Sequence, residues 1–323
     1  MFSFFKNNKD NKKDNQIKKY PKCKIGLALG GGAARGLAHI GVIKAFEEAG
    51  ISFDFVAGTS VGSLIGAFYC AGKTSSEMID IVKNIKEKDI RTSKIIISPS
   101  KTEGLQNLVR NNLGDIDIED LKIPFAPVAV DLKTTNEIAF RHGNLSKAVA
   151  GSCAVPGVFV PVEFEDKLLA DGGLQNTVPA DIPKLFGCDY VIAVDVNSSR
   201  SYGTESTKLL DVLFASIRIL MKNIPTKGYN HSDFMITPDL KRFKSTKLEG
   251  YDEMIEEGYR CTKKAIPQIL EIFAKKPLKR KAKLACEFAK DLNLISDNGT
   301  KKIIINDNIQ QDVQELLENT DEN

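Results

Sequence analysis

The five residues Gly58-Thr59-Ser60-Val61-Gly62 place a serine between two glycines at the spacing G-x-S-x-G. A serine hydroxyl attacks an ester only when it projects clear of the backbone. A sharp strand-to-helix turn achieves this if the residues two before and two after carry no side chain that would collide. Gly58 and Gly62 meet that demand. The stretch 53–57 before the motif reads as a strand, and 64–70 after it reads as a helix stopped by Gly72. The N-terminus of that helix offers free amides and a positive dipole end to an anionic intermediate. The same five residues also describe a plain glycine turn with Ser60 as a helix N-cap.

A second glycine cluster, Gly30-Gly31-Gly32-Ala33-Ala34-Arg35-Gly36, closes the strand-like run 24–29 and opens a helix over 36–49. Sequential strands of a parallel sheet are often neighbours, so both glycine turns come to the same sheet edge. Backbone amides of this loop can there form an oxyanion hole for acyl transfer. Arg35 adds positive charge toward an oxyanion or a lipid phosphate, a placement that runs against the helix dipole. The competing reading is a dinucleotide cradle with Asp54 in the second strand. It fails because the third glycine of that fingerprint would be position 35, and no G-x-x-x-x-G-K-[ST] is present.

An attacking serine needs a proton acceptor, and the chain has three histidines: His39, His142 and His231. His39 falls in an apolar helix and reads as packed, His142 sits beside Gly143 at a turn, and His231 lies in a polar loop. The order Ser60, Asp171, His231 matches an α/β-hydrolase triad, but that fold has several strands before its nucleophile and here one precedes the nucleophile's own strand. Asp171, in Leu168-Leu169-Ala170-Asp171-Gly172-Gly173, is the better base: a carboxylate that ends an apolar strand and enters a glycine turn. In water its pKa would be about 3.9, so a Ser–Asp dyad requires desolvation to raise it. The plainer reading of the same residues is an Asp-Gly turn.

Two strand–helix units within the first 72 residues imply a parallel α/β sheet. Further strands are expected at 127–132, 137–140, 168–170 and 190–196, and helices at 75–88, 102–113, 179–186, 208–221 and 251–274. The segment 90–120, with its apolar run at 95–99, reads either as a hydrophobic lid or as containing a buried strand.

The length of 323 residues, with 42% hydrophobic and 27% charged side chains, supports a sizeable core and excludes a disordered polymer. The net charge of +3 belongs to one end: residues 1–24 hold eight Lys and two Asp, leaving 37 basic against 40 acidic residues elsewhere. A near-neutral body without Trp argues against a nucleic-acid binder. Residues 1–23 read as a disordered basic tail, with a weak electrostatic tether to anionic lipid as the functional alternative. No export signal and no run of about 20 apolar residues is legible. The six scattered cysteines form no C-x-x-C pair and read as reduced, mostly buried thiols. After residue 274 a basic stretch and then an acidic one read as a peripheral C-terminal segment, 275–323.

Taken together, and with Ser152-Cys153-Ala154-Val155-Pro156-Gly157-Val158-Phe159 ahead of the aspartate, the three motifs resemble the patatin-like phospholipases, in particular compact bacterial members. The likeness covers about residues 24–200. It implies a three-layer α/β/α fold on a mainly parallel sheet, with a catalytic core over 24–200 and helices in 201–274 completing the domain. It implies Ser60 as nucleophile and Asp171 as its partner with no histidine, Gly31, Gly32, Ala33 and Arg35 as the oxyanion hole, Gly58 and Gly62 as the elbow, and Gly172 and Gly173 as the D-G-G turn. The chain departs from many members at Ala33, where they have glycine; an N–H remains, but alanine does not freely adopt φ > 0.

The expected function is a serine hydrolase of lipid carboxylic esters, of phospholipase or lysophospholipase type. The alternatives are a non-lipid esterase or thioesterase using Ser60, Asp171 and His231, and an inactive lipid-binding protein of the same fold. No cofactor and no metal is implied, there being no acidic loop of EF-hand spacing. The expected partner is a lipid acyl ester, with no nucleic acid; the oligomeric state is left open. The expected location is cytoplasmic, with transient membrane-surface contact as the alternative.

Overall fold

The computed structural model describes residues 24–85, 99–198, 227–243 and 248–275, with isolated positions 207, 212, 215, 216 and 219. Its centre is an eight-stranded sheet. Strand β1 (Ile25–Leu29) runs into a 3₁₀ turn (Ala33–Leu37) and helix α1 (Ala38–Glu48); β2 (Phe55–Thr59) runs into α2 (Val61–Cys70). There follow α3 (Ser75–Asn84), α4 (Glu103–Leu113), β3 (Phe125–Asp131), β4 (Asn136–Ala139), α5 (Leu145–Ser152), β5 (Val162–Phe164) and β6 (Lys167–Asp171). The described chain continues with α6 (Asp181–Leu185), β7 (Tyr190–Val194), α7 (Lys227–His231), β8 (Phe234–Ile236) and α8 (Tyr251–Lys275).

The strand order is β5-β6-β3-β2-β1-β7-β8, with β4 also paired to β3. From β3 to β8 all pairs are parallel, whereas β4, β5 and β6 join antiparallel. The fold is therefore a mixed, mostly parallel sheet between helical layers. Side chains alternate between its faces as the strand period requires. Ile25, Leu27 and Leu29 of β1 with Tyr190, Ile192 and Val194 of β7 enter the larger core, beneath α1, α2, α3, α4, α5 and α8. Ala28, Ala57, Ala126 and Ala193 face a thinner second core around α6. Small residues on that face let the covering layer lie close.

Most expected elements are present with shifted ends. The first helix begins as a 3₁₀ turn, α2 starts directly after Ser60, and the helix expected to 88 is helical to Asn84. Four elements were not expected, the short helix α7 among them. Helix α5 is made of small residues and depends on the Asn144 side chain accepting the Lys147 N–H at its N-terminus. Strands β5 and β8 have three residues each, too few to display a period. The segment after 201, expected to be helical, thus also contributes a strand. The basic tail, residues 95–98 of the apolar run, nearly all of 208–221 and the segment from 276 lie outside the described residues.

Helices α1 and α8 meet backbone to backbone. A Cβ at Gly41 would lie 1.8 Å from Ile255 O, and one at Gly258 2.0 Å from Ala38 O. At the rim of that contact Lys263 pairs with Glu48 at 2.7 Å. Among the described residues no helix is long and apolar enough to cross a membrane.

Candidate active site

Ser60 stands where β2 turns into α2, at φ 55°, ψ −128°. A side-chain-bearing residue rarely adopts φ > 0, and such strain persists only when the surroundings over-determine it. Here they do. A Cβ at Gly58 would meet Gly62 O at 2.5 Å and one at Gly62 would meet Leu29 O at 2.1 Å, so only glycine fits on either side of the bend. The Ser60 carbonyl accepts the Ser63 N–H at 2.8 Å and the Leu64 N–H at 3.2 Å. The Ser60 N–H donates to Ser152 Oγ at 2.9 Å. Ser60 therefore starts α2 without a side-chain cap bond, and its hydroxyl is not used as the plain-turn reading requires.

Asp171 arrives from the opposite direction. Strand β3 outruns β2: Thr59 at the end of β2 pairs with Val128, while β3 continues three residues to Asp131. Strand β6 runs antiparallel along that overhang and ends with Asp171 opposite Ala129. The ends of a parallel and an antiparallel strand thus meet at one level on the same edge of β3, β4 occupying its other edge. The turn beyond needs glycine, since a Cβ at Gly172 would lie 2.2 Å from Val128 O. Gly173 donates its N–H to Asp171 Oδ1 at 2.8 Å, and the Asp171 N–H donates to Ala154 O at 3.0 Å. Oδ2 is buried and has no hydrogen-bond partner. Burial pushes the carboxyl up to about 6; the Ser60 side chain and the Gly173 amide act in the opposite sense by favouring the charged form. Ser60 is thus within electrostatic reach of Asp171 without closing a bond to Oδ2.

The glycine loop lies against the serine, with a Cβ at Gly31 falling 3.3 Å from Ser60 Cβ. It is held from several sides. Gly30 N–H donates to Val194 O, His39 Nε2 donates to Gly30 O at 2.8 Å, and Asn197 Nδ2 donates to Gly31 O at 2.7 Å. Two expectations are corrected here. The Gly31 amide, expected to face an oxyanion, donates to Thr177 O at 2.9 Å. Arg35 is buried, and its Nε and Nη2 both donate to Phe243 O, at 3.0 and 2.9 Å. Its guanidinium fastens the first helical turn to a distant loop. The amides of Gly32 and Ala33 donate to no acceptor among the described residues, and neither do those of Val61 and Gly62, which precede the first bonded amide of α2. Ala33 does adopt φ > 0, at 49°.

No histidine acts on Asp171. His39 is fully buried and held uncharged by burial, its pKa lowered to about 4, so it serves the loop as a neutral donor. His142 lies 3.7 Å from Glu119. His231 ends the short helix α7, beside β7, and is not in the loop that its polar neighbours suggested. Four buried groups were missed as parts of this neighbourhood. Ser152 holds the elbow, Cys153 lies beside Ser60 and Asp171, Thr59 Oγ1 donates to Asn176 O at 2.8 Å, and Asn176 N–H donates to Gly172 O. The Asn176 side chain bridges Glu137 and Asp181 at 2.7 and 2.8 Å. Ser152-Cys153 was visible as sequence ahead of the aspartate; nothing in its text marks the direction of its hydroxyl. Cys70, Cys153 and Cys188 are buried free thiols. Among the described residues no group of three or more His, Cys, Asp or Glu side chains gathers as a metal site does.

The sequence profile described as patatin-like phospholipase matches residues 27–184, from β1 into α6. This segment is a patatin-like phospholipase domain. An uncharacterized NTE family protein of Mycobacterium tuberculosis is 36% identical over 185 residues, covering 55% of this chain and 50% of that protein. Human patatin-like phospholipase domain-containing protein 6 is 36% identical over 183 residues, covering 54% of this chain and 13% of that protein. The alignment with the mycobacterial relative spans about half of its length. Among solved structures, VipD from Legionella pneumophila is 13% identical with a TM-score of 0.47, covering 93% of this chain and 80% of that one. The patatin-like domain contains Ser60, Asp171 and the glycine loop, whereas β7, β8 and α8 lie beyond the matched residues.

Proposed function

We propose that this chain is a serine acyl hydrolase that cleaves carboxylic esters of lipids through a Ser60–Asp171 dyad. One observation carries the reading: a buried carboxyl with its pKa raised to about 6 keeps one oxygen unpartnered beside a serine held on a strained elbow. Ser60 Oγ adds to the ester carbonyl carbon as its proton passes to Asp171 Oδ2. The amides of Gly32 and Ala33, with that of Val61, donate to the oxyanion. Collapse expels the alcohol, which takes the proton from Asp171. The same carboxylate then removes a proton from water, the hydroxide adds to the acyl-enzyme, and collapse releases the acid with the proton returned to Ser60.

The lipid substrate class rests on family membership and on relatives whose names contain phospholipase or esterase. The experiment is fluorophosphonate labelling together with hydrolysis of p-nitrophenyl butyrate and of a mixed phospholipid and lysophospholipid extract. Ser60→Ala is expected to abolish labelling and lower turnover by at least roughly a thousandfold with the fold retained. His231→Ala is expected to leave turnover within about threefold. A Ser60→Ala protein that still releases fatty acid at the normal rate refutes the dyad.

A further inference from the structure

The tripeptide Ser152-Cys153-Ala154 touches both arms of the site. At the end of α5, Ser152 Oγ accepts the Ser60 N–H at 2.9 Å and donates to Val128 O at 2.5 Å. Two residues on, Ala154 O accepts the Asp171 N–H at 3.0 Å. Between them the buried Cys153 thiol lies 3.8 Å from Ser63 Oγ, and the neighbouring Asp171 charge helps to raise its pKa. Val128 O is also the atom that forbids a Cβ at Gly172. One hydroxyl thus joins the backbone of the serine elbow to the carbonyl on which the aspartate's turn rests.

That bond has no substitute among the described residues. Ser60 is at positive φ, its N–H has no helical or sheet acceptor, and Ser152 is fully buried, so water does not replace the hydroxyl. Without it the Ser60 N–H and Val128 O lose the side chain that orders them relative to each other. A misplacement of about 1 Å at a reacting group is enough to cost on the order of a hundredfold in rate.

We infer that Ser152 is a positioning residue for acyl transfer, setting the direction of Ser60 Oγ toward Asp171 Oδ2. It touches no substrate and acts through the Ser60 backbone. The inference rests on the reading of Ser60 as nucleophile. The test uses Ser152→Ala and the near-isosteric Ser152→Cys, whose thiol is a weak donor and acceptor. Per mole of folded protein, both are expected to lose roughly 30–100-fold in kcat, with KM for p-nitrophenyl butyrate within about twofold and the rate of fluorophosphonate labelling falling in parallel. Ser146→Ala is the comparison: it removes a buried hydroxyl from the same helix, bonded to Asn144 away from the site, and is expected to lower stability at unchanged kcat. If Ser152→Ala does not fold, Ser152→Cys decides. Folded Ser152→Cys that labels and turns over at the wild-type rate overturns the inference. A wild-type protein that does not label at all overturns the nucleophile reading instead.

Discussion

At the scale of single residues, the site is defined by groups held in states that they would not choose in water. Asp171 is the clearest. Its pKa is raised from 3.8 to about 6, so between those values the folded chain holds a proton that the unfolded chain has released. Stability therefore falls as pH rises through this window, and above about pH 6 the full penalty, roughly 2–3 kcal/mol, is present. Asp171→Asn is expected to be inactive yet more stable than wild type at pH 8, with the gap closing toward pH 4 in urea titrations. Wild-type kcat/KM is expected to rise with pH through an apparent pKa near 6, because the base must be ionised. Ala33 makes a second case. Left-handed backbone costs an alanine about 1–2 kcal/mol, against the roughly 0.5–1 kcal/mol of extra chain entropy that glycine loses on folding. Ala33→Gly should then be neutral or more stable by up to about 1 kcal/mol at unchanged kcat. Ala33→Val, exposed but β-branched at φ 49°, should lose stability in the same assay.

At the scale of elements, what was legible in the sequence was whatever repeats or stands alone. The runs 25–29 and 190–194 are apolar throughout, and their types alternate bulky and small as the two cores require. Gly58 and Gly62 flank the serine because nothing larger fits. Directions were not legible: nothing in Leu168-Leu169-Ala170-Asp171 reveals that β6 runs antiparallel. Nor were partners that depend on distant backbone. Arg35 was read as facing an anion because its charge opposed the helix dipole, and the carbonyl that takes it is 208 residues away. Gly31 looked like a free donor because Thr177 O was not in view. The α1–α8 contact belongs here too, since two glycines in amphipathic helices do not declare that they face each other. Gly41→Ala and Gly258→Ala must each push the helices apart, at an expected cost of about 1–3 kcal/mol by thermal or urea unfolding. Gly41→Ala is expected to lower kcat as well, since α1 also carries His39, which holds Gly30 O.

At the scale of the whole molecule, the matched family segment is not a self-sufficient body. It ends at residue 184, yet β7 pairs with β1 along its full length, and β8 extends the sheet beyond β7. Helix α8 lies on α1 and buries Met254, Ile255, Ile269 and Phe273. A fragment of residues 24–200 would leave the α1 face bare and Arg35 without Phe243 O. It is expected to be insoluble or to lack a cooperative melt, while residues 24–275 give a soluble protein with a single transition, as measured by size-exclusion chromatography and circular dichroism.

The overhang of β3 past β2 has a last consequence. The gap between Ser60 and Asp171 is metered by chain length: three residues beyond Val128 give β6 just enough rail to bring its final residue back level with the elbow. Sliding that rail by one residue turns the carboxyl to the opposite face, and sliding it by two carries it about 7 Å past the serine. The pairing of Ser60 with Asp171 is set by counting, and a frame-preserving deletion in β6 would miscount it while leaving both side chains in the chain.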